Sequence, residues 1–189
     1  MPVSPPPPVQ VVSPWARRRI GLRHGGRARA DRISMNELSH YDADGSIRMV
    51  DVSGKAVTVR RAVASAKVLL SASTLDKLTG GRNPKGDPLE IARIAGIQAA
   101  KRTSELIPLC HQIALSKVNV TADYREFGVY LEAEAVTTSN TGVEMEALTA
   151  VTVAALTVYD MCKAVQRDIA ISDVVLESKT GGKNDYVRR

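Results

Sequence analysis

The stretch 141–168, TGVEMEALTAVTVAALTVYDMCKAVQRD, decides how the rest of the chain is read. Thr141 followed by Glu144 has capping-box spacing, in which each side chain can satisfy a backbone N–H at a helix start. Thirteen uncharged residues then separate Glu146 from Asp160, and every angular position around a helical wheel is apolar, Thr or Tyr. A helix apolar on all sides is buried on all sides. The uncharged run falls short of the roughly 20 residues that a bilayer requires, so one face is expected on a sheet and the other against a second subunit. Charges return at the ends, with Glu144 and Glu146 at the start and Asp160, Lys163, Arg167 and Asp168 near the finish. At about 100° per residue, Glu146 and Asp160 project about 40° apart and Asp160 and Lys163 about 60° apart. They share a side of the helix, about four turns from one another.

Upstream of this helix, residues 46–52 (SIRMVDV) and 56–70 (AVTVRRAVASAKVLL) are rich in β-branched residues, and Val68, Leu69 and Leu70 are read as strand. Ser73 to Leu78 reads as a short helix with a Ser/Asp capping spacing, stopped by Gly80 and Gly81. GGRNPKGD, residues 80–87, is a loop carrying Arg82 and Lys85. Asp87, Pro88 and Glu90 supply an N-cap, a first-turn proline and an acid, and predict a helix to about Glu105, because Pro108 prevents continuation. Leu115 to Ala122 and Val129 to Thr138 alternate as strands around a YREFG turn, and Ile169 to Ser178 alternates as a final strand. The order strand, helices, hairpin, helix, strand predicts an α+β fold of ferredoxin-like kind, an antiparallel sheet with helices packed on one face.

The net charge of +6 and pI near 9.5 invite a nucleic-acid reading. The distribution opposes it: residues 1–34 hold seven Arg and one Asp, whereas residues 35–189 hold 19 Lys plus Arg against 19 Asp plus Glu. Residues 1–34, which open with a Pro run and become Arg- and Gly-rich, are expected to be a disordered extension, and Met35 the natural start of a single catalytic domain, 35–189. Their prolines also oppose a transit-peptide helix. The end, KTGGKNDYVRR, is flexible by composition from about residue 180. Two cysteines, Cys110 and Cys162, lack CxxC spacing and suit reduced thiols in a cytoplasmic protein. No metal-ligand spacing is present, and neither a nucleic acid nor a membrane is expected as partner.

Three clusters fall at loop or helix ends: Arg82 with Lys85, Cys110 with His111, and Asp160 with Lys163, Lys179 following nearby in sequence. Several lysines without a P-loop suit an anionic, phosphorylated ligand held by point charges. Each has a plainer reading. Asp160 and Lys163 have the spacing of an i,i+3 ion pair, His111 could be a satisfied structural histidine or half of a nucleophilic pair with Cys110, Lys85 a solvated charge, and Glu144 a cap alone. The residues by themselves lead to an anion-handling, oligomeric α+β domain.

KGD at 85–87, ARIAGIQAAKR at 92–102, LIPLCH at 106–111, LSKV at 115–118, TGVEMEALTA at 141–150 and ALTVYDMCKAVQ at 155–166 together resemble the cyclic pyranopterin monophosphate synthase family, the molybdenum cofactor biosynthesis protein C family. The resemblance covers roughly Ser39 to Lys183. It implies a lyase acting on 3′,8-cyclo-7,8-dihydroguanosine 5′-triphosphate, with pyrophosphate leaving as the pyranopterin and its cyclic phosphate form. It also implies a ferredoxin-like homohexamer, a trimer of dimers, with sites at subunit interfaces. Carried over by resemblance, the catalytic residues are Asp160, Lys163 and Lys85, and the substrate contacts are Leu109, Cys110, His111, Glu144, Met145, Glu146 and Lys179. Arg60 matches a basic position. No cofactor is called for, and whether a divalent metal such as Mg2+ assists the triphosphate stays open. Competing readings are a hydrolase or transferase using ordinary GTP in the same basic pocket, a nucleic-acid module working through the tail, and a scaffold without activity.

Overall fold

A computed structural model of the chain describes His40 and residues 45–80 and 86–189. Residues 1–34, Arg82 and Lys85 lie outside the described residues. Strand β1 (Thr58–Leu69) places Ala62, Ala64, Ala66 and Val68 on one face, all fully buried. Opposite them in β3 (Gly128–Ser139) stand Ala135, Ala133, Leu131 and Val129, which in turn pair with Val118, Val120, Ala122 and Tyr124 of β2 (Leu115–Arg125). These rows of small and branched side chains pave the face of the sheet on which the helices lie. With β4 (Ala170–Thr180) and β5 (Tyr186–Val187) the sheet has the order β2-β3-β1-β4-β5, antiparallel throughout. That is the expected ferredoxin-like arrangement with one short strand added.

β5 belongs to the segment read from composition as a flexible tail. There the Gly181 N–H donates to Asp185 Oδ1, and Tyr186 and Val187 pair with Lys179 and Ser178. The β2–β3 turn has Glu126 and Phe127 at its tip, closed by Gly128 at φ 139°, where a side chain would collide with the carbonyl oxygen of Val68. β1 begins later than the β-branched run suggested: residues 48–57 carry no strand, and Arg60 and Arg61 both lie within β1.

Helix α1 (Ala72–Thr79) is capped by Ser71, two residues before the predicted start, because the Ser71 side chain accepts from the Thr74 N–H. Helix α2 (Pro88–Ala100) begins as read, with the Asp87 side chain accepting from the Leu89 N–H. It ends five residues before Glu105. The buried Thr103 hydroxyl donates to the Ala100 carbonyl, the Arg102 N–H donates to Ala99, and the chain re-enters a short helix, α3 (Thr103–Leu106).

Helix α4 (Glu144–Cys162) is shorter than the 141–168 stretch and lacks the capping box: Val143 stands at its N-cap without a side-chain bond. By length and composition it could cross a membrane, but Ala147, Ala150, Val151, Ala154, Ala155 and Val158 are fully buried in the core. One face lies on the sheet, and a second meets α2 of the same chain rather than leaving that contact to another subunit. The close approach depends on Gly96, where an added Cβ would stand 2.8 Å from the Ala150 carbonyl oxygen and 3.2 Å from the Ala154 methyl. Leu156, 54% exposed, and Met145 remain outward.

Candidate functional site

The first turn of α4 carries Glu144, Met145 and Glu146, and the loop after α3 is folded back on that turn. Pro108 cannot continue a helix, and the Cys110 N–H donates to the Ile107 carbonyl, closing a turn that brings Leu109, Cys110 and His111 together. The segment 50–55 completes the wall. The Asn140 side-chain amide donates to the Val52 carbonyl at 2.9 Å, and His111 Nε2 lies 2.8 Å from the Val50 carbonyl oxygen. These elements enclose a cavity of about 370 Å³, lined also by His40, Lys55, Thr141 and Gly142.

Glu146 is 4% exposed. Burial pushes its carboxyl up to about 7, and the neighbouring charge of Glu144 adds to the rise while a hydrogen bond to its own backbone opposes it. A carboxyl balanced between its two forms near neutral pH can both give and take a proton. The Cys110 thiol is pushed up by burial and by Glu146, which disfavours the thiolate. Because His111 Nε2 is engaged by Val50, the two adjacent residues do not form a nucleophile–base pair through that nitrogen.

A second cavity of about 240 Å³ adjoins the first and shares Lys55, Gly142 and Glu144 with it. Its other walls bring Arg60 and Arg61 of β1 beside Lys179 of β4 and Lys183. The register explains this, since Lys179 pairs with Ala62 and the bend after Thr180 returns the chain past Arg60. Lys179 Nζ lies 2.9 Å from Glu144 Oε1, across 35 residues of sequence. The cavity is therefore a cationic pocket with one carboxylate in its wall, suited to an anion.

Leu109, Cys110, His111, Glu144, Met145 and Glu146 thus converge on the first cavity, and Glu144, Lys179 and Arg60 on the second. Asp160 and Lys163 do not join them within the chain. They stand at the opposite end of α4, about 21 Å along its axis from Glu146, with Lys163 Nζ 2.6 Å from Asp160 Oδ1 and both side chains exposed. The Asp160 carboxylate raises the Lys163 ammonium above its ordinary range. Among the described residues, no group of three or more His, Cys, Asp or Glu is placed to hold a metal ion.

Sequence reasoning missed Lys55, which lines both cavities. No periodic or spacing signal marks it, because it lies between Gly54 and Ala56 in a segment without regular structure. The conformation of that segment alone brings it to the site.

The chain matches the MoaC family profile over residues 49–182. It is 57% identical over 153 residues to cyclic pyranopterin monophosphate synthase 3 of Mycobacterium tuberculosis (strain ATCC 25618 / H37Rv), covering 80% of this chain and 86% of that protein. A cyclic pyranopterin monophosphate synthase of Oleidesulfovibrio alaskensis is 57% identical over 153 residues, 80% of this chain and 96% of its own. One from Heliobacterium modesticaldum is 52% identical over 157 residues, 82% and 99% respectively.

Proposed function

The chain belongs to the MoaC family, and on that premise we propose that it is a cyclic pyranopterin monophosphate synthase. It converts 3′,8-cyclo-7,8-dihydroguanosine 5′-triphosphate to cyclic pyranopterin monophosphate and pyrophosphate, a step of molybdenum cofactor biosynthesis. The observation that carries this reading is the pair of adjoining cavities. One is lined by proton-handling groups, Glu146 and His111; the other is cationic, with Arg60, Lys179 and Lys183.

Opening a purine and closing a pyranopterin require protons at several centres, and a carboxyl near 7 is matched to both directions of transfer. Closing the cyclic phosphate drives negative charge onto the departing pyrophosphate, which the Lys and Arg side chains of the second cavity would neutralise. By family resemblance Asp160 is the catalytic acid/base and Lys163 and Lys85 are the reactive lysines; Asp160 and Lys163 manage protons at the reacting centre, while Lys85 helps to hold the triphosphate. Since Asp160 and Glu146 are about 21 Å apart along one helix, the complete site takes Asp160 and Lys163 from a second copy, in a homo-oligomer of hexameric, trimer-of-dimers kind.

The test follows pyrophosphate release and the fluorescence of the oxidised pterin with the cyclic dihydro-GTP substrate. Wild type should yield both products, and Asp160→Asn and His111→Ala neither. Co-expressed, the two inactive variants should recover part of the activity, since mixed oligomers contain some intact shared sites. Pyrophosphate without pterin would identify a hydrolase. No recovery on mixing would refute the shared site.

A further inference from the structure

Glu144 is an acid in a pocket otherwise built for anions. Its carboxylate folds back over Gly142, where any side chain would collide with it, and reaches Lys179 Nζ at 2.9 Å. Glu144, Gly142 and Lys55 form the border shared by the two cavities. The Glu144 side chain is 28% exposed and that of Lys179 40%. The pair is accordingly neither locked in the core nor fully dissolved in solvent. An ion pair of that exposure contributes little and can be exchanged for a better anion.

We propose that Glu144 is a built-in competitor for the phosphate position at Lys179: it occupies the ammonium until a polyphosphate displaces it, and it returns to expel the pyrophosphate product. The proposal rests on the reading of the second cavity as the phosphate site.

Displacement carries the same cost for every anion that takes Lys179. Orthophosphate offers few contacts to offset it. A polyphosphate that also reaches Arg60 and Lys183 offers more, so the cost sets a threshold that small anions fail to cross. After the reaction the cost works in the opposite direction. A cluster of Arg60, Lys179, Lys183 and Lys55 would otherwise retain pyrophosphate, and a tethered carboxylate within reach of Lys179 favours its departure. Gly142 contributes by leaving space for the carboxylate to fold back.

The experiment titrates pyrophosphate into the full-length protein at fixed ionic strength, using wild type, Glu144→Gln and Lys179→Gln, with unfolding curves to verify that each variant is folded. Glu144→Gln should bind pyrophosphate about tenfold more tightly than wild type, equivalent to about 1.4 kcal/mol. A crystal structure of wild type with pyrophosphate should show the Glu144 carboxylate beyond about 4 Å from Lys179 Nζ, outside ion-pair distance. Unchanged affinity in Glu144→Gln, with binding lost in Lys179→Gln, would overturn the competitor role and leave the phosphate site standing. Glu144 still paired to Lys179 in the complex would overturn it as well. No binding to wild type or to Glu144→Gln would overturn both the role and the site.

Discussion

His111 Nε2 lies 2.8 Å from the carbonyl oxygen of Val50. A carbonyl only accepts, so in neutral imidazole Nε2 carries the hydrogen and Nδ1 keeps the lone pair. The bond ties the segment 50–55 to the loop after α3. Replacing His111 with Ala should abolish turnover and also loosen that segment, read as faster amide hydrogen exchange at residues 50–55 with exchange in β1 and β3 unchanged. Equal exchange in variant and wild type would dismiss the tie.

Glu146 gives stability a pH dependence of unusual sign for a carboxyl. Its native pKa of about 7 lies above the ordinary 4.5. Between those values the unfolded chain has released the proton that the native state still holds, so unfolding free energy falls as pH rises from about 4.5 to 7 and levels off above. The loss is on the order of 3 kcal/mol, at about 1.4 kcal/mol per pKa unit. Glu146→Gln, which cannot ionise, should remove this slope and be the more stable protein at pH 8 in urea titrations. A slope retained in the variant would assign it to other groups.

Gly96→Ala tests the contact between α2 and α4. The new methyl would meet the Ala150 backbone oxygen at 2.8 Å, and a backbone carbonyl cannot swing aside as a side chain can. The helices must separate at a cost of about 1–3 kcal/mol. For a chain of this size the melting temperature should fall by several degrees, about 2–4 °C per kcal/mol. An unchanged melting temperature would show that α4 can shift without loss.

Asp160→Asn should separate activity from stability. The Asp160–Lys163 pair is exposed and of i,i+3 spacing, so its loss should alter unfolding free energy by no more than about 0.5 kcal/mol. Turnover should vanish while substrate binding persists. A large loss of stability would make the residue structural.

Reading α4 from sequence succeeded on its apolar character and failed at its ends. Thr141 and Glu144 have the spacing of a capping box, and an isolated peptide could use it. In the fold, Glu144 is taken by Lys179 from β4, and Val143 occupies the cap position. α2 likewise ends before Pro108 could end it, and there the Arg102 N–H donates to the Ala99 carbonyl and the Thr103 hydroxyl to that of Ala100. In both places a partner or a hydrogen-bond choice outside the scanned pattern prevailed.

By itself the sequence determined what short-range rules govern. These include the Asp87–Pro88 helix start, the alternation of β2 and β3, the glycine turn at Gly128, and an α4 too apolar to be a surface helix. Ordered segments such as TGVEMEALTA also disclosed the family. Tertiary structure alone decided which charges meet: Lys179 at Glu144, and Lys55 on the border of two cavities. The physical reason is range. Caps, turns and periodicity act over a few residues of chain, whereas the site is assembled by strand register and helix packing, which join residues far apart in sequence.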